Sequence, residues 1–265
     1  MLSALAALPR RTALAISAVP VLALLGATAF APLPFAVAQP GSTANVLGEN
    51  KGEQVITVEG EPTRPTKGEL LMTTIVATGP DMRIHLGDVL DGWFRTDRAV
   101  MPREAVYPTG DTTEEIEKHN LGEMKKSQDE AVAAALGHLG LSPKDVRVEL
   151  KLADIGGPSA GLLFTLGIID KLDGDGSGGD LTGGRTIAGT GTITADGKVG
   201  AVGGVALKTQ AAGRDGASVF LVPKAECADA KAELPEGMRL IPVTTLDGTV
   251  DSLRALNRNG KVPTC

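Results

Sequence analysis

Between residues 67 and 257 the chain switches hydrophobic period again and again, and this alternation limits its fold more than any other feature. "GELLMTTIVAT" (68–78) is a β-branched run that reads as a strand. "DTTEEIEKHNLGEMKKSQDEAVAAALGHLG" (111–140) opens with a capping box, Thr112 to Glu115, and continues as a helix. Its stripe of Met124, Ser127, Ala131, Ala134, Ala135 and Leu139 is small enough to demand close packing, which we expect against a sheet. "DVRVELKL" alternates as a strand, and "SAGLLFTLGIIDKL" is an apolar helix. "TIAGTGTIT" and "KVGAVGG" flank Asp196-Gly197 as a hairpin. "GVALKTQAAGRDG" is a short helix, "ASVFLVP" a buried strand, and "RLIPVTTLDGTVDSLRALN" a last strand and helix. Strands alternating with helices predict an α/β or α+β domain over residues 67–258, ahead of a tail at 259–265. With 34 glycines and only 3% aromatic residues, its core must be built from Ala, Val, Leu and Ile.

The first 48 residues carry only two charges, Arg10 and Arg11. A basic start, an apolar middle and the small triplet "AVA" (36–38) predict a secretory signal ending at residue 38. The stretch 13–38 is also long enough to span a bilayer, which takes ~20 residues, so an anchor is the alternative. Either way the positive flank stays inside and the remainder is exported, secreted or held at the outer face of the cytoplasmic membrane. Residues 39–66, rich in Gly, Pro and polar side chains, read as a linker with at most one strand, "QVITVEG". Beyond residue 38 the chain has 24 basic and 32 acidic residues, net −8, which argues against a nucleic-acid partner.

Cys227 and Cys265 are the two cysteines, and an even count outside the cell predicts one disulfide. It would close 37 intervening residues and be worth about 3 kcal/mol. Two unpaired thiols are the alternative. His85, His119 and His138 are scattered, without metal-ligand spacing, so no metal is expected. "DGDGSGGD" (173–180) starts like a calcium loop, but its twelfth position is Gly184 and not a bidentate Glu. It reads as a flexible surface loop. "GTITADGKV" lacks the spacing of a phosphate loop, so neither ATP nor another cofactor is expected.

"DIGGPSAGLLF" (154–164) sets Ser159 on a cramped turn before an apolar helix. An ordinary N-cap would explain it, since Ser is a favoured cap. A displayed nucleophile would explain it too, provided a base takes the proton. No His lies beyond residue 138, which leaves a lysine. In water a lysine of pKa ~10.4 is neutral only about once in a few thousand at pH 7. Burial lowers that value by ~3–5 units, so the base should sit on an apolar, small-residue element. Lys208 in "GGVALKTQAAG" fits, although a solvated helix face would fit as well.

"GGPSAG", "LTGG" (181–184) and "GTGTITADGKVGAVGGVALKTQAAGRDGASVFLVP" (189–223), in that order, resemble the proteolytic domain of the Lon proteases. "LGEMKKSQDEAVAAAL" is similar to the helix ahead of that family's active-site strand, and the likeness spans about 121–257. The chain also resembles the exported, ATP-independent YlbL-type branch, which "TTIVATG…GWFRTDRAVMPREAVYP" (73–108) looks like as well. The resemblance implies a mixed sheet with packed helices, Ser159 as nucleophile and Lys208 as base, 49 residues apart. It also implies Thr190 as the residue holding the lysine amine. Asp154, ahead of the turn, is a weaker candidate for orienting Lys208 or lining the cleft, although a solvated loop acid would fit as well. The amides of Gly156, Gly157 and Ser159 would form an oxyanion hole, each worth about 3–4 kcal/mol.

Lon proteases that degrade folded proteins carry an ATPase module that is not visible here, which implies unfolded, loose or membrane-proximal polypeptide substrates. "GHLGLSPKDVRVEL" leaves no room for the PDZ domain usual in the exported branch. A homo-oligomer, a hexamer in that family, is implied as well. A non-catalytic peptide-binding or assembly scaffold is the competing expectation. Other Ser-Lys chemistry is a third, with no S-x-x-K around Ser159 to favour its lactamase form.

Overall fold

The computed structural model describes residues 9–107, 112–152 and 158–265. At its centre is strand β5, Glu69–Ala77, whose residues Leu70 to Thr73 are buried on both faces. A strand covered on both sides reads as a continuous apolar run, as "ELLMTTIVA" does. β5 pairs in parallel with β8 (Thr186–Gly189), which is followed outward by β11 (Val219–Pro223) and β12 (Arg239–Val243), all parallel. On its other side β5 pairs antiparallel with β1 (Phe35–Asn45), and β1 with β6 (Ala99–Pro102). The six-stranded mixed sheet therefore runs β12-β11-β8-β5-β1-β6.

Side chains alternate between two cores, as a period of two requires. Leu70, Met72, Val219 and Leu221 face helices α4 (Thr113–Leu139), α5 (Gly161–Leu172) and α8 (Leu246–Asn257). Leu71, Phe220 and Val222 face α6 (Val205–Arg214) and the short α7 (Cys227–Lys231). α5 is buried from Gly161 through Asp170, and each fully covered Leu, Ile or Phe there contributes roughly 1.5–3 kcal/mol.

α4 begins at the expected capping box: Glu115 N donates to Thr112 Oγ1 and Thr112 N to Glu115 Oε2, both at 3.3 Å. It ends at Gly140, whose left-handed φ of 66° suits glycine. Its small stripe is buried as the spacing requires, except for the partly covered Leu139. The partner differs from the expectation. The stripe lies on α5, which itself lies on the sheet. The approach is close enough that a Cβ on Gly161 would stand 2.9 Å from Ser127 Oγ. "RVEL" forms β7 (Arg147–Leu150), which leaves the main sheet to pair antiparallel with β4 (Ile56–Glu59).

The N-terminal third departs most from the sequence reading. Residues 39–66 are not a linker: they complete β1, add the ribbon of β2 (Glu49–Asn50) and β3 (Glu53–Gln54), and supply β4. Arg64 then fastens the segment to the end of α5, with Nη1 3.3 Å from Asp170 Oδ1 and 3.0 Å from Asp180 Oδ1. The folded unit accordingly starts near Phe35. The triplet expected as a cleavage site is part of β1, with Ala36 and Ala38 buried. Residues 35–38 provide the whole pairing of β6, so cutting after Ala38 would strip an edge of the sheet. Small residues serve a peptidase and a tightly packed strand equally, and only pairing tells them apart. Ahead of β1, α1 (Arg10–Phe30) is an apolar helix with no buried residue, long enough to be a signal or an anchor.

Three further local readings fare differently. The hairpin forms, β9 (Thr192–Ile193) against β10 (Val199–Gly200), with Gly197 at φ 79° in its turn. Cys227 and Cys265 are disulfide-bonded, tying the C-terminal tail to α7. The 173–180 loop is well tied and not loose. Asp175 Oδ1 accepts from Ser177 N, Ser177 Oγ and Gly179 N, while Arg254 Nε donates to the Asp175 carbonyl. No metal-ligand cluster occurs among the described residues.

Candidate active site

Ser159 lies in a single 3₁₀ turn, Pro158–Ala160, that runs into α5. It does not cap that helix. The cap position is Ala160, with no side-chain capping bond, so the ordinary explanation for a serine here fails. The turn is held from two sides. Ser127 Oγ of α4 donates to the Pro158 carbonyl at 3.0 Å, and Gly191 N donates to the Ser159 carbonyl at 2.9 Å. Gly191 returns its own carbonyl to Leu162 N. Its φ of 150° is one that side chains rarely adopt, and a Cβ there would stand 3.0 Å from Val199 Cγ1, so the position suits glycine.

Thr190, the residue just after β8, is fully buried and links two of the candidates. Its Oγ1 donates to the Ser159 carbonyl at 3.2 Å and accepts from Lys208 Nζ at 3.1 Å. Because the Thr190 proton is committed to the carbonyl, a lone pair of the same oxygen is left for the lysine. Among the described residues no hydrogen bond joins the Ser159 hydroxyl directly to Lys208. Asp154, Gly156 and Gly157 lie outside the described residues.

Lys208 is only 3% exposed, on the sheet-facing side of α6. Burial lowers its pKa to about 8, and the nearby Glu226 carboxylate partly opposes that fall. Glu226 is the residue that sequence reasoning missed. It stands one position before Cys227, in the turn after β11; its Oε1 accepts from Val202 N at 2.9 Å and its Oε2 is buried without a partner. Burial pushes its own pKa up, Lys208 pulls it down, and Asp229 raises it. Nothing in "PKAECADAK" distinguishes this acid from its neighbours, because its proximity to α6 is made by the β11-to-α7 connection.

Beside the serine turn opens a cavity of about 320 Å³, walled by Lys126, Ser127, Glu130, Pro158, Thr192 and Ile193.

Comparisons with known proteins show what this mixed α/β domain is similar to. Residues 144–255 match the Lon protease (S16) C-terminal proteolytic domain. Lon protease of Malacoplasma penetrans is 32% identical over 168 residues, 58% of this chain and 20% of that protein. Lon protease 2 of Bacillus subtilis is 31% identical over 136 residues, 49% of this chain and 23% of its own length. Lon protease of Chloroflexus aggregans is 40% identical over 94 residues, 34% of this chain and 11% of that protein. Residues 144–255 thus form a Lon-like serine protease domain, similar to the C-terminal proteolytic part of these relatives. It spans a quarter or less of the length of these relatives.

Proposed function

We propose that this chain is an endopeptidase with a Ser159–Lys208 dyad, acting without ATP on unfolded or loosely folded polypeptide outside the cytoplasmic membrane. The observation that carries the reading is the dry Lys208, joined through Thr190 to the serine turn, with its pKa lowered to about 8. At that value roughly one lysine in ten is neutral at pH 7, against one in a few thousand in water.

Neutral Lys208 takes the Ser159 hydroxyl proton as Oγ attacks the scissile carbonyl. The carbonyl electrons move to oxygen, where the Ser159 amide at the start of α5 and the positive end of the helix dipole oppose the new charge. Collapse breaks the C–N bond, and Lys208 gives its proton to the departing amine. Water then repeats the sequence: Lys208 takes its proton, the ester C–O bond breaks, and Oγ is reprotonated. Catalytic hydrogen bonds commonly tighten only when substrate is bound, consistent with a serine and lysine that meet through Thr190 in the free protein. Gly156 and Gly157 amides as further donors, Asp154 as a residue lining the cleft, and a hexameric ring belong to the same proposal.

The test uses the full chain in detergent, incubated with a disordered protein and no ATP, beside Ser159→Ala and Lys208→Ala. Cleavage by the parent, lost in both variants with melting temperature retained, supports the dyad. A folded parent that cuts nothing turns the reading toward a peptide-binding scaffold. Loss in Ser159→Ala alone assigns the base elsewhere. Light scattering reads the assembly.

A further inference from the structure

The large apolar side chains left in solvent are not scattered over this molecule. Among the described residues, all but Val76 and Leu121 belong to α1 or to residues 82–94. The second group is built on α2 (Leu86–Phe94), where Leu86, Leu90, Trp93 and Phe94 follow i, i+4, i+7, i+8 spacing along one stripe. Trp93 is 70% exposed and Phe94 86%. The side of α2 next to this stripe is committed to the domain: Val89 and Gly92 are buried, and a Cβ on Gly92 would meet Val100 at 2.6 Å.

The position of this stripe points to its partner. α1 lies against α2, and the two chain segments are joined where Leu33 N donates to the Ile84 carbonyl at 2.8 Å. α1 has 21 residues, about 32 Å at 1.5 Å each, which matches a hydrocarbon core of ~30 Å. Only residues 31–34 separate it from β1, a reach of roughly 18 Å at most. A domain on so short a lead cannot stand clear of a membrane that holds α1.

We propose that the Leu86–Leu90–Trp93–Phe94 face of α2 lies in the lipid interface of the bilayer spanned by α1, seating the protease domain on the membrane surface. The inference rests on reading α1 as a retained span. Tryptophan favours the zone between hydrocarbon and water, where its ring is apolar and its N–H is hydrated. Arg95 and Arg98 flank the stripe but are engaged by Asp97 at 2.8 Å and Asp91 at 2.5 Å. The contact is therefore apolar in kind, not a headgroup-charge attraction, and should resist salt.

Trp93 is the sole tryptophan of the chain, so intrinsic emission reports this site alone. The full chain is reconstituted into phosphatidylcholine vesicles, with and without brominated acyl chains. The expected result is blue-shifted emission, strongly quenched by the brominated lipid, unchanged by high salt, and lost in a Leu90→Asp/Phe94→Asp variant that melts like the parent. Unquenched emission from protein that survives an alkaline carbonate wash overturns the seating while leaving the span intact. Release by that wash fails the span itself. Quenching that persists in the variant, or blue-shifted emission without quenching, also overturns the proposal, the latter by pointing to a second protein as the cover.

Discussion

α1 and α5 are both apolar on nearly every face, yet one has no buried residue and the other is covered along ten consecutive positions. The difference is not in their hydrophobicity. α5 is enclosed by α4, by the sheet and by Val46 and Ile56 from the N-terminal third, and that enclosure carries on to the titratable groups around it. Asp170 at its C-terminal end is fully buried, and burial raises its pKa to about 6. Lys208, across the sheet, is dry for the same kind of reason. α1 has no such neighbours and no charge beyond its first residues. An apolar helix therefore says only that it needs cover, and the rest of the chain decides whether protein supplies it.

The most direct challenge to this contrast is one glycine in each helix. In α5 a Cβ on Gly167 would lie 2.6 Å from Ile56 Cδ1 and 3.0 Å from Val46 Cγ2, whereas on Gly26 of α1 it meets nothing. Gly167→Leu should cost about 3 kcal/mol through overpacking and Gly26→Leu almost nothing, as read by chemical denaturation in detergent. Equal losses would mean that α1 is covered by protein after all.

The covered side also fixes the next effect. With Lys208 lowered from 10.5 to about 8, holding its charge costs roughly 3 kcal/mol below pH 8. Since the unfolded chain binds more protons between those two values, parental stability should rise with pH across that window. Lys208→Met should be inactive yet more stable at pH 7 by about 2 kcal/mol, with the advantage gone above pH 10.5. Parental activity should climb with a midpoint near pH 8 as the amine loses its proton. A flat profile through that range would remove Lys208 as base.

Arg64 tests the same contrast at the other end of α5. Arg64→Ala leaves the buried Asp170 facing Asp180 without its cation, and we expect a loss of about 2 kcal/mol at pH 8. Asp170 is ionised only above about pH 6, so the loss should shrink at pH 5, when the carboxyl is neutral. A pH-independent loss would reduce Arg64 to packing alone. The smallest effect belongs to Glu226→Gln. It removes the charge that raises the Lys208 pKa, so the activity limb should move to lower pH, with more activity at pH 7. Movement in the other direction would contradict the stated coupling.

Much of this architecture is legible in the residues alone. The capping box at Thr112, the left-handed Gly140 and the Asp196-Gly197 turn are local signals, set by backbone groups a few residues apart. The apolar runs of β5 and α5 follow from period, and it is the resemblance carried by GGPSAG, LTGG and GGVALK, in that order, that nominates Ser159 and Lys208. What stays hidden is everything that depends on a distant partner. "AVA" reads alike as a peptidase site and as a packed strand, and only pairing with Ala99–Pro102 makes it β1. Residues 39–66 are polar enough for a linker, yet Arg64 has two carboxylates waiting in a segment more than a hundred positions away.

Short-range sterics and hydrogen bonding therefore let the chain declare which segments are helix or strand, where they stop, and which serine and lysine merit a test. It takes the assembled fold to establish that Ser159 is not a helix cap, that Thr190 ties its carbonyl to Lys208, and that Glu226 stands near the amine. Desolvation and charge proximity are properties of the packed neighbourhood. No residue type carries them along the chain.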